Sequence, residues 1–103
     1  MVVTAIYTAK PGNEEALRKI IYATARESWK EPGISKYSVN EVPDCTGRFI
    51  LVAVFDSKEA FNSHLNTNHV KKIVAALDGL TDGNSQVFEG NPVLTSEHIK
   101  SLL

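Results

Sequence analysis

The chain has 103 residues, of which 43% are hydrophobic and 22% charged, with a formal net charge of -1. That length suits one domain burying roughly two-thirds of its unfolded surface, and the mix excludes the polar, highly charged composition of disordered chains. Eleven Lys and Arg against twelve Asp and Glu, with Lys71-Lys72 the densest cationic point, give a nucleic-acid or acidic-membrane partner no electrostatic support.

Val2 to Ala9 is β-branched and aromatic and closes at Lys10-Pro11-Gly12, which predicts a first strand. Asn13 follows as an N-cap, with Glu14 and Glu15 in the first turn, where the helix dipole favours carboxylates. Leu17, Ile20, Ile21, Thr24, Ala25 and Ser28 then recur at helical spacing, so a first helix is expected from about Glu14 to Lys30. Pro32-Gly33 ends it. Ile34 to Val42 alternates as a strand with two different faces, and Pro43-Asp44-Cys45-Thr46-Gly47 has the chemistry of a hairpin loop. The third strand, Arg48 to Asp56, shows no alternation in its apolar centre, so both of its faces should be buried. Ser57 caps a second helix, Lys58 to about Leu65, with Ala60, Phe61, His64 and Leu65 as its inner stripe. After the interruption Asn66-Thr67-Asn68, a third helix starts near His69, buries Val70, Ile73, Val74 and Leu77, and ends within Gly79 to Gly83. Gln86 to Gly90 reads as the last strand. Beyond Pro92, Thr95 or Ser96 caps a short helix bearing Ile99, Leu102 and Leu103.

The longest apolar run, Phe49 to Phe55, is seven residues, whereas a membrane-spanning helix needs about 20. Met1 to Ala9 has neither the basic start nor the cleavage site of a secretory signal, so a cytoplasmic location is expected. The single cysteine, Cys45, excludes an intrachain disulfide and a thiolate-rich zinc site. It reads as a loop thiol without a role.

The predicted order of strand, helix, strand, strand, helix, strand is the split-βαβ, ferredoxin-like arrangement of the α+β class, a four-stranded antiparallel sheet with helices on one face. A single domain is expected over residues 1–103, with its core over about 1–92 and a helical tail over about 93–103. The opposite face of the sheet carries about half of the apolar residues of the third strand and has no cover within the chain. Such a patch marks an interaction surface, so a homodimer of face-packed sheets is expected; the tail is too short to roof a whole sheet.

No nucleotide or flavin cofactor is expected, because the glycines at 12, 33, 47, 79, 83 and 90 stand at element ends and form no phosphate-cradling loop. The segment His64-Leu65-Asn66-Thr67-Asn68-His69 has most chemical potential. On a continuous helix its two histidines would point about 140° apart, so without the intervening break they chelate no metal; helical ligand pairs are spaced i, i+4. No metal site is expected. His64, beside Phe61 and Leu65, suits a satisfied interior histidine, with a direct chemical role as the alternative. His69 falls in the first turn of a helix, where the dipole keeps the ring neutral as a general base requires; capping or solvation explains it equally well. His98 is structural or exposed. Tyr7, Tyr37, Asn40, Glu41 and Trp29 are candidate cavity groups, though each residue type is more often packing than function. Arg48 suits a solvated strand end or a dimer-rim ion pair better than a substrate clamp.

Three stretches carry a resemblance to a known family: Ala9-Lys10-Pro11-Gly12, the corner Glu31-Pro32-Gly33-Ile34, and above all Phe55 to His69. The last looks like the His-x-x-Thr-x-His helix of the antibiotic biosynthesis monooxygenase domain, a dimeric α+β-barrel family, and the match covers nearly residues 1–92. The resemblance implies a monooxygenase of small phenolic or quinol substrates that works without metal or flavin. Triplet dioxygen reacts slowly with closed-shell molecules, but an electron-rich phenolate can donate an electron to it, so the protein need only hold the substrate in a dry pocket and remove a proton. His69 would then be the base and His64 would orient the substrate, with Tyr37, Phe61, Trp29 and Tyr7 as walls of its binding site. Arg48-Phe49 and Phe88-Glu89-Gly90 also look like a family member that isomerises phosphorylated autoinducer-2, a reaction the same two histidines could serve. Haem-degrading members fit worse, since they imply a tryptophan where His64 stands and a histidine where Val74 stands. A third reading, from another class, is a non-catalytic dimeric binding or stress module.

Overall fold

The computed structural model describes residues 1–94. Its elements are β1 (Val2–Thr8), α1 (Glu14–Ser28), β2 (Ile34–Glu41), β3 (Arg48–Phe55), α2 (Lys58–Leu65), α3 (Asn68–Leu80) and β4 (Gln86–Gly90). The four strands form one antiparallel sheet in the order β2-β3-β1-β4. Because β3 runs antiparallel to both of its neighbours, β1 and β2 are a parallel pair split by a third strand, the ferredoxin-like α+β arrangement. The expected C-terminal helix lies outside the described residues.

In α1 the buried stripe is Leu17, Ile21, Thr24, Ala25 and Ser28. Full burial of Leu17 and Ile21 contributes about 1.5–3 kcal/mol each, and the two buried hydroxyls are satisfied within the helix, Thr24 donating to Ile20 O and Ser28 to Thr24 O. Asn13 holds the N-cap position without a side-chain cap bond. Its backbone lies away from the extended cap conformation, and its amide donates across to Gly79 O instead. The helix ends at Ser28, short of Lys30, because Lys30 and Glu31 bond only three residues back and Pro32 cannot continue the ladder.

The uniformly apolar β3 is sorted by its pleat. Phe49, Leu51, Ala53 and Phe55 are buried under the helices, whereas Ile50, Val52 and Val54 are half-buried on the other face. Register places Ile6 opposite Ile50, Val2 opposite Val54, and Phe88 across from Thr4 on that same outer face. Among the described residues nothing covers it. The expectation of burial on both faces therefore holds for one face of a single chain.

The inner face is filled by two clusters. One joins Ala5, Leu17, Ile21, Phe49, Leu51 and Ile73, the other Val3, Ala53, Phe55 and Phe61, and Tyr37 packs against both. Leu65 and Val74, expected in buried stripes, are 46% and 60% exposed. Both stand at the mouth of a cavity left where the clusters meet.

Candidate active site

The corner after α1 begins the site. A Cβ on Gly33 would lie 2.6 Å from the Cβ of Ala60, so the lack of a side chain lets α2 approach this closely. Asp56 N–H donates to Gly33 O at 2.9 Å, and the Ser57 hydroxyl accepts from Ala60 N–H, starting α2. The helix stops at Leu65. Thr67 then donates its hydroxyl to His64 O at 2.7 Å and accepts from Val70 N–H, so a single side chain closes α2 and caps α3.

That break changes the geometry of the two histidines. Their ring centroids lie 5.9 Å apart, and both rings reach the same atom, Glu31 Oε2: His64 Nδ1 at 2.8 Å and His69 Nε2 at 2.7 Å. The three side chains are only 10%, 18% and 16% exposed for His64, His69 and Glu31. An ionised carboxylate only accepts, so the contacting ring nitrogens carry the hydrogens. A neutral His64 thus presents Nε2 as an acceptor.

Beside the cluster, between sheet and helices, is a cavity of about 210 Å³. Ala5, Leu51 and Ala53 supply sheet-side walls and Val70 and Ile73 helix-side walls, and His64 borders it together with the predicted wall residues Tyr7, Tyr37 and Phe61. No lysine or arginine is among the described residues that line it. Burial pushes the Tyr7 phenol up, and that of Tyr37 up to about 12, with the nearby Tyr7 and Glu31 adding to desolvation and Ser28 opposing it. Both phenols are therefore neutral donors at ordinary pH.

The remaining candidates lie elsewhere. His69 does not line the cavity; it borders an outer groove between α1 and α3 beside Arg26, Lys71 and Lys72. Trp29 is 60% exposed, and its indole N–H donates to Tyr37 O at 3.0 Å. A wall position for Trp29 does not hold, because α1 ends before turning that side chain inward. Asn40 donates to Ile50 O, Glu41 accepts from Arg18 and Gly47 N–H, and Arg48 donates to Thr8. Glu31 is the residue that sequence reasoning missed as a site group. A signal existed: it stands three positions after Ser28, on the continuation of the buried stripe of α1.

The architecture and the helix-side chamber define an α+β protein of the ferredoxin-like class. A family model for antibiotic biosynthesis monooxygenase matches residues 1–76, and the chain belongs to that family. No curated protein matches the sequence. Among solved structures, it is similar to Rv0793 from Mycobacterium tuberculosis, with 23% identity, a TM-score of 0.87 and coverage of 92% of this chain and 96% of that one. PA3566 from Pseudomonas aeruginosa gives 22%, 0.85, and 90% and 93%. A structure described as an antibiotic biosynthesis monooxygenase gives 18%, 0.84, and 91% and 100%. At these identities the likeness establishes the fold alone. No helix among the described residues is long and apolar enough to cross a membrane.

Proposed function

We propose that the protein is a cofactor-independent monooxygenase of small single-ring phenols or quinols, with His64 as the base. The observation that carries this reading is an apolar cavity bordered by one imidazole whose other nitrogen is already engaged by a carboxylate. Its volume, about 210 Å³, suits one ring; an apolar cavity of about 150 Å³ in another protein takes up benzene. Glu31 fixes the His64 tautomer, so Nε2 accepts the phenolic proton. The phenolate then passes one electron to dioxygen, the two radicals combine at a ring carbon, and the resulting hydroperoxide loses water to leave a carbonyl. For a phenol the sum is phenol plus dioxygen giving quinone plus water, and the substrate supplies all the electrons. Tyr37 and Tyr7 donate to the anionic oxygen.

His69, expected from the family resemblance to be the base, takes a supporting role in this reading, since it holds Glu31 from the groove side. Isomerisation of a phosphorylated substrate gains no support from a chamber with no lysine or arginine among the described residues that line it. The outer sheet face is closed by a second copy, which completes the barrel.

The test is oxygen consumption by metal-free protein offered a panel of hydroquinones and phenols. Uptake with at least one, falling about 100-fold or more in His64→Gln, is expected. No uptake across the panel, or full activity in His64→Gln, contradicts the proposal.

A further inference from the structure

We propose that Glu31, His64 and His69 are also a binding site for one divalent first-row transition-metal ion, with Zn2+ the best fit. This inference does not rest on the oxidation reading. Glu31 Oε2, His64 Nδ1 and His69 Nε2 all lie within 4.8 Å of one another, the carboxylate oxygen 2.8 and 2.7 Å from the two nitrogens. A zinc ion takes imidazole nitrogen and carboxylate oxygen each at about 2.0–2.2 Å, which in a tetrahedral site sets neighbouring donors roughly 3.4 Å apart, so the two oxygen–nitrogen separations open by about 0.6–0.7 Å on binding. Small ring rotations therefore suffice. Two imidazoles and one carboxylate are a donor set for zinc and its neighbours rather than for calcium or magnesium.

Charge favours a cation at this point. The half-buried Glu31 carboxylate has these two imidazoles as its ion-pair partners among the described residues, with no lysine or arginine. Positive charge beside it thus comes from a ring proton or from an ion that displaces the hydrogens of both contacting nitrogens. Three protein donors leave a fourth position for water, and the outer groove bordered by His69 gives an ion its way in. The donors come from the corner after α1, the end of α2 and the start of α3, so their convergence is set by the backbone. An ion on Nδ1 would also move the hydrogen of the neutral His64 ring to Nε2. The ring facing the cavity would change from acceptor to donor, and the loaded protein would lose the base proposed above.

Metal-free protein titrated with Co2+, followed by visible absorption, and with Zn2+, followed by melting temperature, tests the site. One ion per chain is expected, with a melting temperature that rises with ion concentration. Glu31→Gln and His69→Ala should each weaken binding by at least about tenfold, while His98→Ala and Cys45→Ser leave it unchanged. Absence of binding to the wild type, or binding lost with His98 or Cys45 instead, overturns the proposal. Should a variant fail to fold, proton NMR of the Co2+-loaded wild type decides: paramagnetic shifts at both the His64 and His69 rings support the site, and unshifted rings overturn it.

Discussion

Glu31 accepts from two rings at once, and this residue ties the corner after α1 to the break between α2 and α3. At the same scale, Tyr37 reports on the chamber. Its phenol is pushed from 10.0 up to about 12 by burial, so the folded state holds its proton more tightly than the unfolded chain does. The stabilisation linked to it is fully present below pH 10 and is lost as pH rises toward about 12. Urea denaturation across that range should show stability falling with pH, and falling less steeply in Tyr37→Phe. Some slope remains in that variant, because Tyr7 is shifted in the same direction. An unchanged slope in Tyr37→Phe would mean that the ring is not desolvated. Residue identities were only partly legible in the sequence. His64 and His69 stood out by type and spacing, and Tyr7, Tyr37 and Phe61 by their place on predicted elements. Glu31 had only its place three positions after Ser28 to mark it as inward-facing, and its pairing was not legible, because its partners lie 33 and 38 positions away and no local pattern encodes that distance.

Elements were far more legible, since strands and helices follow from local periodicity and punctuation. Pro32-Gly33, Ser57 and Thr67 each mark a boundary by a local mechanism: a missing donor, a missing side chain or a capping oxygen. What local pattern could not give was the angle at the α2–α3 break, which makes neighbours of two histidines that a continuous helix would set about 140° apart. The glycines allow a direct comparison. Gly33→Ala drives a methyl against Ala60 and should destabilise by about 1–3 kcal/mol. Gly79→Ala, inside α3 with nothing within 4 Å of the added carbon, should stabilise by about 0.5–1 kcal/mol. Chemical denaturation of the two variants checks both signs; equal effects would show that α2 does not press on the corner.

On the scale of the whole molecule, the sheet buries one face under its own helices and, among the described residues, leaves the other uncovered, with Ile6, Ile50, Val52, Val54 and Phe88 on it. The evenly apolar β3 implied cover on both sides, and among the described residues only one side has it. Light scattering should give a dimer for the wild type and a monomer for Val52→Glu, since a carboxylate buried at a closed sheet interface has no partner. A wild type that stays monomeric would remove the barrel. The cavity, by contrast, could not be read from the sequence, because it arises where two clusters drawn from six elements meet.

The most direct test of the account is a structure of the protein with a hydroquinone bound. The ring is predicted to lie between Leu51 and Ile73, with one hydroxyl within hydrogen-bond distance of His64 Nε2. A ring found instead in the outer groove beside His69, or a cavity that excludes hydroquinone at saturation, would contradict the assignment of the chamber and of its base.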